Sequence, residues 1–176
     1  MRVNLKEKIR NIPDFPKPGI MFRDITTLLA EPAAFSHVIK KMKKYYKAKE
    51  IDAVVGIESR GFIFGAALAH ALGKSFLIIR KPGKLPYKTV AEEYELEYGK
   101  DKIEIHEDAI KQGQKVLIVD DLLATGGTSL AAAKLVEKLG GVVAGLAFVT
   151  ELNYLKGREK IKSYKDFEIF SLVNYD

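Results

Sequence analysis

The stretch VLIVDDLLATGGTS, from Val116 to Ser129, carries the strongest structural signal in this chain. Its first four residues are apolar and mostly β-branched, a pattern typical of a strand buried on both faces of a parallel sheet. Two adjacent carboxylates, Asp120 and Asp121, follow that strand, and small residues then form a turn. From Leu130 onward, apolar residues recur at helical spacing among strong helix formers. The stretch therefore predicts a strand, an acidic pair, a small-residue loop and a helix in direct succession, as in an α/β fold.

The loop and the acidic pair suit different ligand groups. Free backbone amides and the positive end of the helix dipole favour a phosphate, and glycines let the backbone approach that phosphate closely. Carboxylates suit sugar hydroxyls or a hydrated magnesium ion. Together these preferences indicate a ribose phosphate as the ligand. The alternative is that an aspartate merely caps a helix and the glycines merely form a turn. The stretch contains neither a Walker loop nor a GxGxxG motif.

The same stretch resembles the phosphoribosyl-pyrophosphate motif of the type I phosphoribosyltransferases, and its DDLLATGGT core has the form seen in adenine phosphoribosyltransferases. The resemblance, which covers almost the whole chain, implies that Asp120 and Asp121 are catalytic. They would hold the ribose hydroxyls and favour a cationic sugar. The residues that the resemblance implies for anchoring the 5′-phosphate are Ala124, Thr125, Gly126, Gly127 and Thr128.

Length and composition predict a single domain over residues 1–176, with enough chain for a real core. The sequence has no cysteine, which excludes disulfides and thiolate metal sites, and its 3 histidines show no metal-ligand spacing. Neither an apolar run long enough to span a membrane nor a secretory leader is readable. We therefore expect a cytoplasmic protein without a membrane partner.

The net charge of +6 suits either nucleic acid or a substrate that carries several phosphates. The densest basic run, residues 40–49, shares a predicted amphipathic helix with apolar residues. That arrangement favours a solvated helix face over an RNA-binding patch. Aromatic and basic residues do not interleave as an RNA-binding sheet requires, so we expect no nucleic-acid partner.

Residues 4–12 are predicted to form a short amphipathic helix that Pro13 ends. The string FPKPGIMFRDIT, residues 15–26, then resembles the N-terminal segment that shapes the base pocket in adenine phosphoribosyltransferases. The resemblance implies that Phe22 stacks on the purine and that the backbone around Arg23 reads the edge of the base. The alternative is that Phe22 is an ordinary core residue.

A second buried-strand pattern, residues 51–57, ends in the polar turn ESRG, and an alanine-rich helix follows. In the resembled family this turn binds pyrophosphate through backbone amides and a basic side chain, which implies substrate-binding roles for Ser59 and Arg60. The turn often carries a non-proline cis peptide, expected here between Glu58 and Ser59. The alternative for Arg60 is a salt bridge to Glu58.

Three cations, Arg80, Lys81 and Lys84, follow a third predicted strand over residues 75–79. Open α/β sheets bind ligands at the carboxyl ends of their strands. We therefore expect these cations to gather round a leaving pyrophosphate, where an arginine fork can grip two oxygens. The alternative is that they only make the loop soluble.

A loop and a hairpin inserted between α/β units predict a mobile lid over residues 84–106. Residues 85–93 show little periodicity, and strands over 94–98 and 102–106 are predicted to turn about Gly99. In the resembled family the lid closes over the substrates, and the string LEYG implies that Glu97 and Tyr98 lie near the base. Glu97 would be the catalytic acid/base group for a purine ring nitrogen; the alternative is a solvated hairpin carboxylate.

Two further strands are predicted over residues 142–150 and 167–173. The string LKGREK, residues 155–160, is another signature of the resembled family and implies a place near the base end of the site. There Leu152 would close the other face of the purine.

These patterns predict an α/β fold with a mainly parallel twisted sheet and helices on both faces, like that of type I phosphoribosyltransferases. The resemblance adds a small hood from residues 1–30 and 150–165. It implies transfer of the phosphoribosyl group from 5-phosphoribosyl 1-pyrophosphate to adenine, giving AMP and pyrophosphate. The implied cofactor is Mg2+, held mainly through substrate and water without a direct protein ligand. The implied assembly is a homodimer in which one of the cations can serve the partner's site.

Two alternatives to this function remain. A phosphoribosyltransferase for another purine, such as xanthine, shares the central motif. A non-catalytic regulator that senses phosphoribosyl pyrophosphate also shares it, but such proteins usually add a winged helix, for which 176 residues leave no room. The strings FPKPGIMFRDIT and LKGREK favour adenine as the acceptor.

Overall fold

The computed structural model describes residues 3–95 and 99–176. In chain order the strands of these residues are β1 (Arg10–Ile12), β2 (Phe22–Asp24), β3 (Ala53–Ile57), β4 (Ser75–Ile79), β5 (Thr89–Glu95), β6 (Lys100–His106), β7 (Lys115–Leu123), β8 (Val142–Leu152) and β9 (Ile169–Tyr175). The α-helices are α1 (Thr26–Ala30), α2 (Pro32–Tyr46), α3 (Arg60–Leu72), α4 (Gly127–Lys138) and α5 (Gly157–Tyr164).

The central sheet has 5 strands in the order β4-β3-β7-β8-β9, and every neighbouring pair is parallel. From β3 the chain adds β4 on one side and later adds β7, β8 and β9 on the other. The strand order therefore reverses between β3 and β7. In open parallel sheets, ligands bind outside the carboxyl ends of the strands at such a reversal. The predicted ESRG turn follows β3, and the predicted acidic pair lies near the end of β7.

Helices cover both faces of the sheet, as predicted. Along β7, Leu117 and Val119 belong to a core shared with α2 and α3, whereas Val116 and Ile118 belong to a core shared with α4. All four side chains are fully buried. Burial on both faces explains why this strand shows a continuous apolar run instead of an alternating pattern.

The predicted helix over residues 4–12 is wrong. The chain forms one 3-10 turn at Lys6–Lys8 and then β1, which pairs antiparallel with β2. Leu5 and Ile9 are buried and lie four residues apart, a spacing that is also found along one face of an amphipathic helix. The backbone of residues 10–12 instead pairs with a strand whose residues lie 10 to 14 positions later in the chain, which no local pattern reveals.

Several predicted strand boundaries are also wrong, and the two largest differences concern β5 and β7. β5 begins inside the segment 85–93, which was predicted to be a loop, because Val90 lies opposite Ile105 of β6 in an antiparallel pair. β7 continues through both aspartates to Leu123, since its pairing with β8 extends as far as Glu151. The acidic pair is therefore part of a strand, and its backbone is held by the sheet.

The hairpin formed by β5 and β6 is a separate two-stranded sheet. It joins the main sheet through reciprocal backbone hydrogen bonds between Arg80 and Glu104, 2.9 and 2.8 Å long. On its other side, Lys138 of α4 donates a hydrogen bond to the carbonyl of Ala91. In the described ranges no helix is long and apolar enough to cross a membrane.

Candidate active site

A cavity of about 390 Å³ lies at the carboxyl ends of β3 and β7. The predicted site residues that line this cavity are Ser59, Arg60, Lys81, Asp120, Asp121, Ala124 and Thr128. Its other lining residues are Ile57, Glu58, Tyr94, Ile103 and Leu122. Segments that are far apart in sequence thus face one space, at the reversal of strand order where ligand binding is expected.

The acidic pair forms the charged centre of the cavity. Burial raises the pKa of both carboxyls, and at Asp120 repulsion from Asp121 raises it further. The Arg60 guanidinium opposes this effect at Asp121, since its Nε lies 3.0 Å from Oδ2. The Arg60 charge offsets the effect of burial only in part, so the pKa of both carboxyls stays raised. A cationic group placed in the cavity would lower these pKa values and favour the ionised carboxylates. The arrangement suits a ligand on which positive charge develops.

The turn between β3 and α3 is built against that pair. The Glu58–Ser59 peptide is cis, as the resemblance implied. A Cβ at position 61 would lie 2.8 Å from the Val119 carbonyl oxygen and 2.9 Å from Asp120 Oδ1, so only glycine fits without a backbone shift. α3 can therefore begin directly beside β7 and bring Arg60 to Asp121. The alternative pairing of Arg60 with Glu58 is wrong.

Glu58 instead gathers the basic loop that follows β4. Its carboxylate accepts hydrogen bonds from Lys84 Nζ at 2.7 Å, from the Lys81 amide at 2.9 Å and from Arg80 Nε at 3.1 Å. Burial by itself would raise the pKa of Glu58, but these three contacts outweigh it and lower the pKa to about 2. Glu58 thus holds the side chains of Arg80 and Lys84 and the backbone of Lys81 together at the sheet edge.

Lys81 also connects the main sheet to the hairpin. Its Nζ donates a hydrogen bond to the Tyr94 hydroxyl at 2.8 Å and forms a short ion pair with Asp101. Tyr94 lies on β5 and Asp101 on β6, directly opposite each other. The same lysine lines the cavity. An anion bound there would therefore compete with the hairpin for this ammonium group.

The loop before α4 has the geometry that an anion requires. α4 begins at Gly127, and its N-cap, Gly126, has a φ of +80° and makes no side-chain capping bond. Amides in the first turn of a helix have no partner within the helix, so they remain free to bind an anion. The positive end of the helix dipole adds to this preference. Ala124 and Thr128 border the cavity on either side of these amides.

Known proteins match this chain over almost its full length. The sequence profile of the phosphoribosyl transferase domain matches residues 24–175. An adenine phosphoribosyltransferase from Clostridium perfringens is 60% identical over 174 residues, which is 99% of each chain. The crystal structure of adenine phosphoribosyltransferase from Thermoanaerobacter pseudethanolicus superposes with a TM-score of 0.93 at 52% identity, covering 97% of this chain and 98% of that one.

The chain belongs to the adenine phosphoribosyltransferase family. A further member, from Saccharomyces cerevisiae, was solved in complex with adenine and an imino-altritol bisphosphate. It superposes with a TM-score of 0.88 at 42% identity over 96% of both chains.

The residues predicted from the family's base-binding segment lie beside the cavity rather than in its lining. The Arg60 guanidinium carbon is 5.4 Å from the centre of the Phe22 ring, and Phe15 packs edge-on against that ring at 5.1 Å. Arg23 lies over the Tyr175 ring at 3.9 Å. Arg60 therefore links the acidic pair on one side to Phe22 on the other.

Leu152 is the last residue of β8 and is 7% exposed. It belongs to the same core cluster as Ile25, next to the β1–β2 sheet. Glu97 and Tyr98 lie outside the described residues, so their roles stay predictions.

Sequence reasoning missed several residues that organise the cavity. Tyr94 and Asp101 contact Lys81, and Glu58 contacts Lys84, but these contacts join residues that are 13 to 26 positions apart in the chain. The position of Glu58 could have indicated a role in the site, because this residue begins the ESRG turn directly after a buried strand. Tyr94 and Asp101 carried no such signal, since they look like ordinary hairpin residues.

Replacing Glu58 with Gln is expected to destabilise the protein at neutral pH, and the difference from wild type should shrink as the pH falls from 4.5 to about 2. A carboxylate whose pKa is lowered by folding stabilises the native state above its unfolded pKa. That contribution is lost as the pH falls through the folded pKa, and the glutamine variant does not have it. Urea unfolding at neutral pH and at about pH 3 measures both differences.

The control for this experiment is Glu93→Gln, whose side chain is 66% exposed. We expect its stability to differ little from wild type at either pH, because exposed ion pairs contribute little. A Glu58→Gln difference that does not depend on pH would contradict the proposed cluster.

Proposed function

We propose that this chain transfers the phosphoribosyl group from 5-phosphoribosyl 1-pyrophosphate to adenine and releases AMP and pyrophosphate. The observation that carries the proposal is one cavity that joins the acidic pair, the uncapped start of α4 and the cations Arg60 and Lys81. A ribose with a phosphate at one end and a pyrophosphate at the other matches this distribution of charge. Relatives with 60% identity over nearly the full chain carry the same enzyme name.

The donor is positioned by its two charged ends. The amides between Ala124 and Thr128 bind the 5′-phosphate, while Ser59, Arg60 and the cluster around Glu58 bind the pyrophosphate. The ribose between them lies over Asp120 and Asp121, which accept hydrogen bonds from its hydroxyls. Fixing both ends restricts the sugar to one orientation, which favours reaction with a correctly placed base.

The reaction breaks the bond between ribose C1 and the pyrophosphate oxygen and forms a bond from C1 to a ring nitrogen of adenine, which loses its proton. Positive charge grows on the ribose while the leaving group departs. Asp120 and Asp121 stabilise that charge electrostatically, and Arg60, Arg80, Lys81 and Lys84 stabilise the departing pyrophosphate. Phe22 and Leu152 would enclose the purine, with the backbone at Arg23 reading its edge. Glu97 would exchange the purine proton, with Tyr98 beside the base.

Magnesium fits this site as a substrate-bound ion. In the described part of the chain no group of three His, Cys, Asp or Glu side chains is arranged to hold a metal. The two carboxylates offer oxygen ligands, which Mg2+ prefers, and it usually keeps several waters. Asp120 and Asp121 would therefore reach Mg2+ through water or through the ribose hydroxyls. When bound, the ion neutralises charge on the leaving group.

The hairpin is the proposed lid, within one domain over residues 1–176. A Cβ at Gly127 would lie 3.1 Å from the Glu95 carbonyl oxygen, so β5 already rests on the start of α4. Movement of residues 84–106 would open or close the phosphate end and exclude water from the sugar cation. The hood over residues 1–30 and 150–165 is proposed to hold the base. The homodimer that the family resemblance implies and the cytoplasmic location expected from the sequence complete the proposal.

The deciding assay adds 5-phosphoribosyl 1-pyrophosphate, magnesium and one purine at a time, and measures the release of pyrophosphate. We expect rapid release with adenine and at least about a hundredfold lower kcat/KM with hypoxanthine, guanine or xanthine, because a site that bonds the amino group at C6 of adenine rejects bases that carry an oxygen there. Faster release with xanthine would indicate a sister enzyme. No release with any purine would contradict an enzymatic role.

Replacing Lys84 with Ala is expected to raise KM for the donor about tenfold, because a charge-assisted bond of ordinary strength is lost from the pyrophosphate cluster. KM for adenine should change by less than about twofold, since the base binds at the other side of Arg60. Steady-state kinetics with each substrate varied in turn gives both constants.

The matched control for this variant is Lys44→Ala, an exposed lysine on α2. It should leave both constants unchanged. A change in KM for adenine alone would contradict the assignment of the basic loop to pyrophosphate.

A further inference from the structure

The first residue of α5 lies directly against the loop before α4. A Cβ at Gly157 would lie 2.2 Å from the Ala124 carbonyl oxygen and 2.9 Å from the Gly126 amide nitrogen. In the other direction, a Cβ at Gly126 would lie 2.6 Å from the Gly157 carbonyl oxygen. The two backbones therefore touch without any side chain between them, in a contact that only a pair of glycines allows.

The glycine at position 157 is needed for space and not for backbone conformation. Its φ lies outside the left-handed region, so an alanine could adopt the same backbone angles. The two nearest atoms that an added methyl group would meet are backbone atoms of Ala124 and Gly126, which cannot rotate away, and the third is Cδ1 of Leu123 at 3.0 Å. Any side chain here must therefore displace either α5 or the loop.

α5 itself is fixed by contacts on its far side. Arg158 Nε donates a hydrogen bond to Glu151 Oε1 at 2.9 Å, and one of its terminal nitrogens donates to the Ile169 carbonyl at 2.8 Å. Ser171 Oγ donates a further hydrogen bond to Glu151 at 2.7 Å. Burial would raise the pKa of Glu151, but these partners outweigh it and lower the pKa. The start of α5 is thus tied to β8 and β9 by charge-assisted bonds.

We propose that Gly157, held in place through the Arg158–Glu151 pair, is a positioning residue for the phosphate-binding loop. Backbone contact with Gly157 fixes the path of Ala124–Gly126, and that path aims the first amides of α4 into the cavity. Gly157 does not itself line the cavity. The inference rests on the proposed function, because it takes the loop to bind the 5′-phosphate of the donor.

The test compares two fragments of the donor on purified full-length protein. Ribose 5-phosphate carries the 5′-phosphate that the loop would bind, whereas pyrophosphate does not. For Gly157→Ala we expect the Kd of ribose 5-phosphate and the KM of the donor to rise at least about tenfold. The Kd of pyrophosphate and the KM of adenine should stay within about twofold of wild type. Calorimetry and steady-state kinetics give the four values.

A matched control separates this effect from general damage. Gly141 is also a crowded glycine, since a Cβ there would lie 2.8 Å from the side chain of Ile110 and 3.0 Å from that of Val136, but it lies at the far end of α4. Gly141→Ala should leave both ligand affinities unchanged even if it lowers Tm. Equal weakening of both fragments in Gly157→Ala, or no weakening of either, would overturn the inference.

A second variant keeps the inference testable if Gly157→Ala does not fold. Arg158→Lys retains the charge but loses the fork that grips Glu151 and the Ile169 carbonyl. It should weaken ribose 5-phosphate about threefold to tenfold and leave pyrophosphate unchanged; unchanged binding of both would overturn the inference. These outcomes can be distinguished from failure of the proposed function. If the proposed function were wrong, the wild-type protein would release no pyrophosphate with any purine.

Discussion

Replacing Asp121 with Asn is expected to preserve the fold and to lower kcat by at least about a hundredfold. The side chain is 6% exposed and lies 3.0 Å from Arg60. Asparagine has nearly the same shape and can keep a hydrogen bond to the guanidinium. It lacks the negative charge that would stabilise the cationic ribose, so the loss should fall on the chemical step more than on binding.

The measurement for Asp121→Asn is kcat with both substrates saturating, together with Tm. Asp166→Asn is the control, since that side chain is 86% exposed and belongs to a surface ion pair. We expect the control to match wild type in both quantities. A kcat for Asp121→Asn within about threefold of wild type would remove the acidic pair from the mechanism.

Arg60→Ala is expected to lower kcat/KM for the donor by at least about a hundredfold. Truncation leaves Asp121 buried without its partner and raises the pKa of that carboxyl further. It also removes a cation from the pyrophosphate side of the cavity and from the face of Phe22. Both substrates should therefore be affected, unlike in Lys84→Ala, where only the donor is.

The double variant Arg60→Ala with Asp121→Asn tests whether this pair acts as a unit. We expect it to lose clearly less activity than the product of the two single losses, because each single change already disrupts the same contact. Independent effects, in which the two losses multiply, would show that the 3.0 Å contact has no joint role.

The parts of the fold that sequence could predict depend on local patterns. The apolar run Val116–Val119 is fully buried in the central strand, and the small-residue loop after it does lead into α4. Strand, turn and helix residues are neighbours in the chain here, so composition and spacing are sufficient. The cis peptide at Glu58 was expected only because of the family resemblance, since no local pattern predicts it.

The parts that sequence could not predict depend on pairing at a distance. β1 forms because a strand 10 to 14 positions later in the chain is its partner, and β7 extends through Asp120 because β8 continues beside it. Likewise, Lys81 contacts Asp101 and Gly157 contacts Gly126 only after the sheet has brought those segments together. Such contacts are selected by packing of the whole domain and leave no periodic signal in the chain.

The central claim is that the donor binds between the start of α3 and the start of α4. Amide hydrogen exchange with and without 5-phosphoribosyl 1-pyrophosphate and magnesium tests it directly, because the first amides of α4 have no partner within the helix. We predict strong added protection at residues 125–129 and 58–61, and none along the exposed face of α2. Protection that leaves residues 125–129 unchanged, or that concentrates elsewhere in the chain, would contradict the claim.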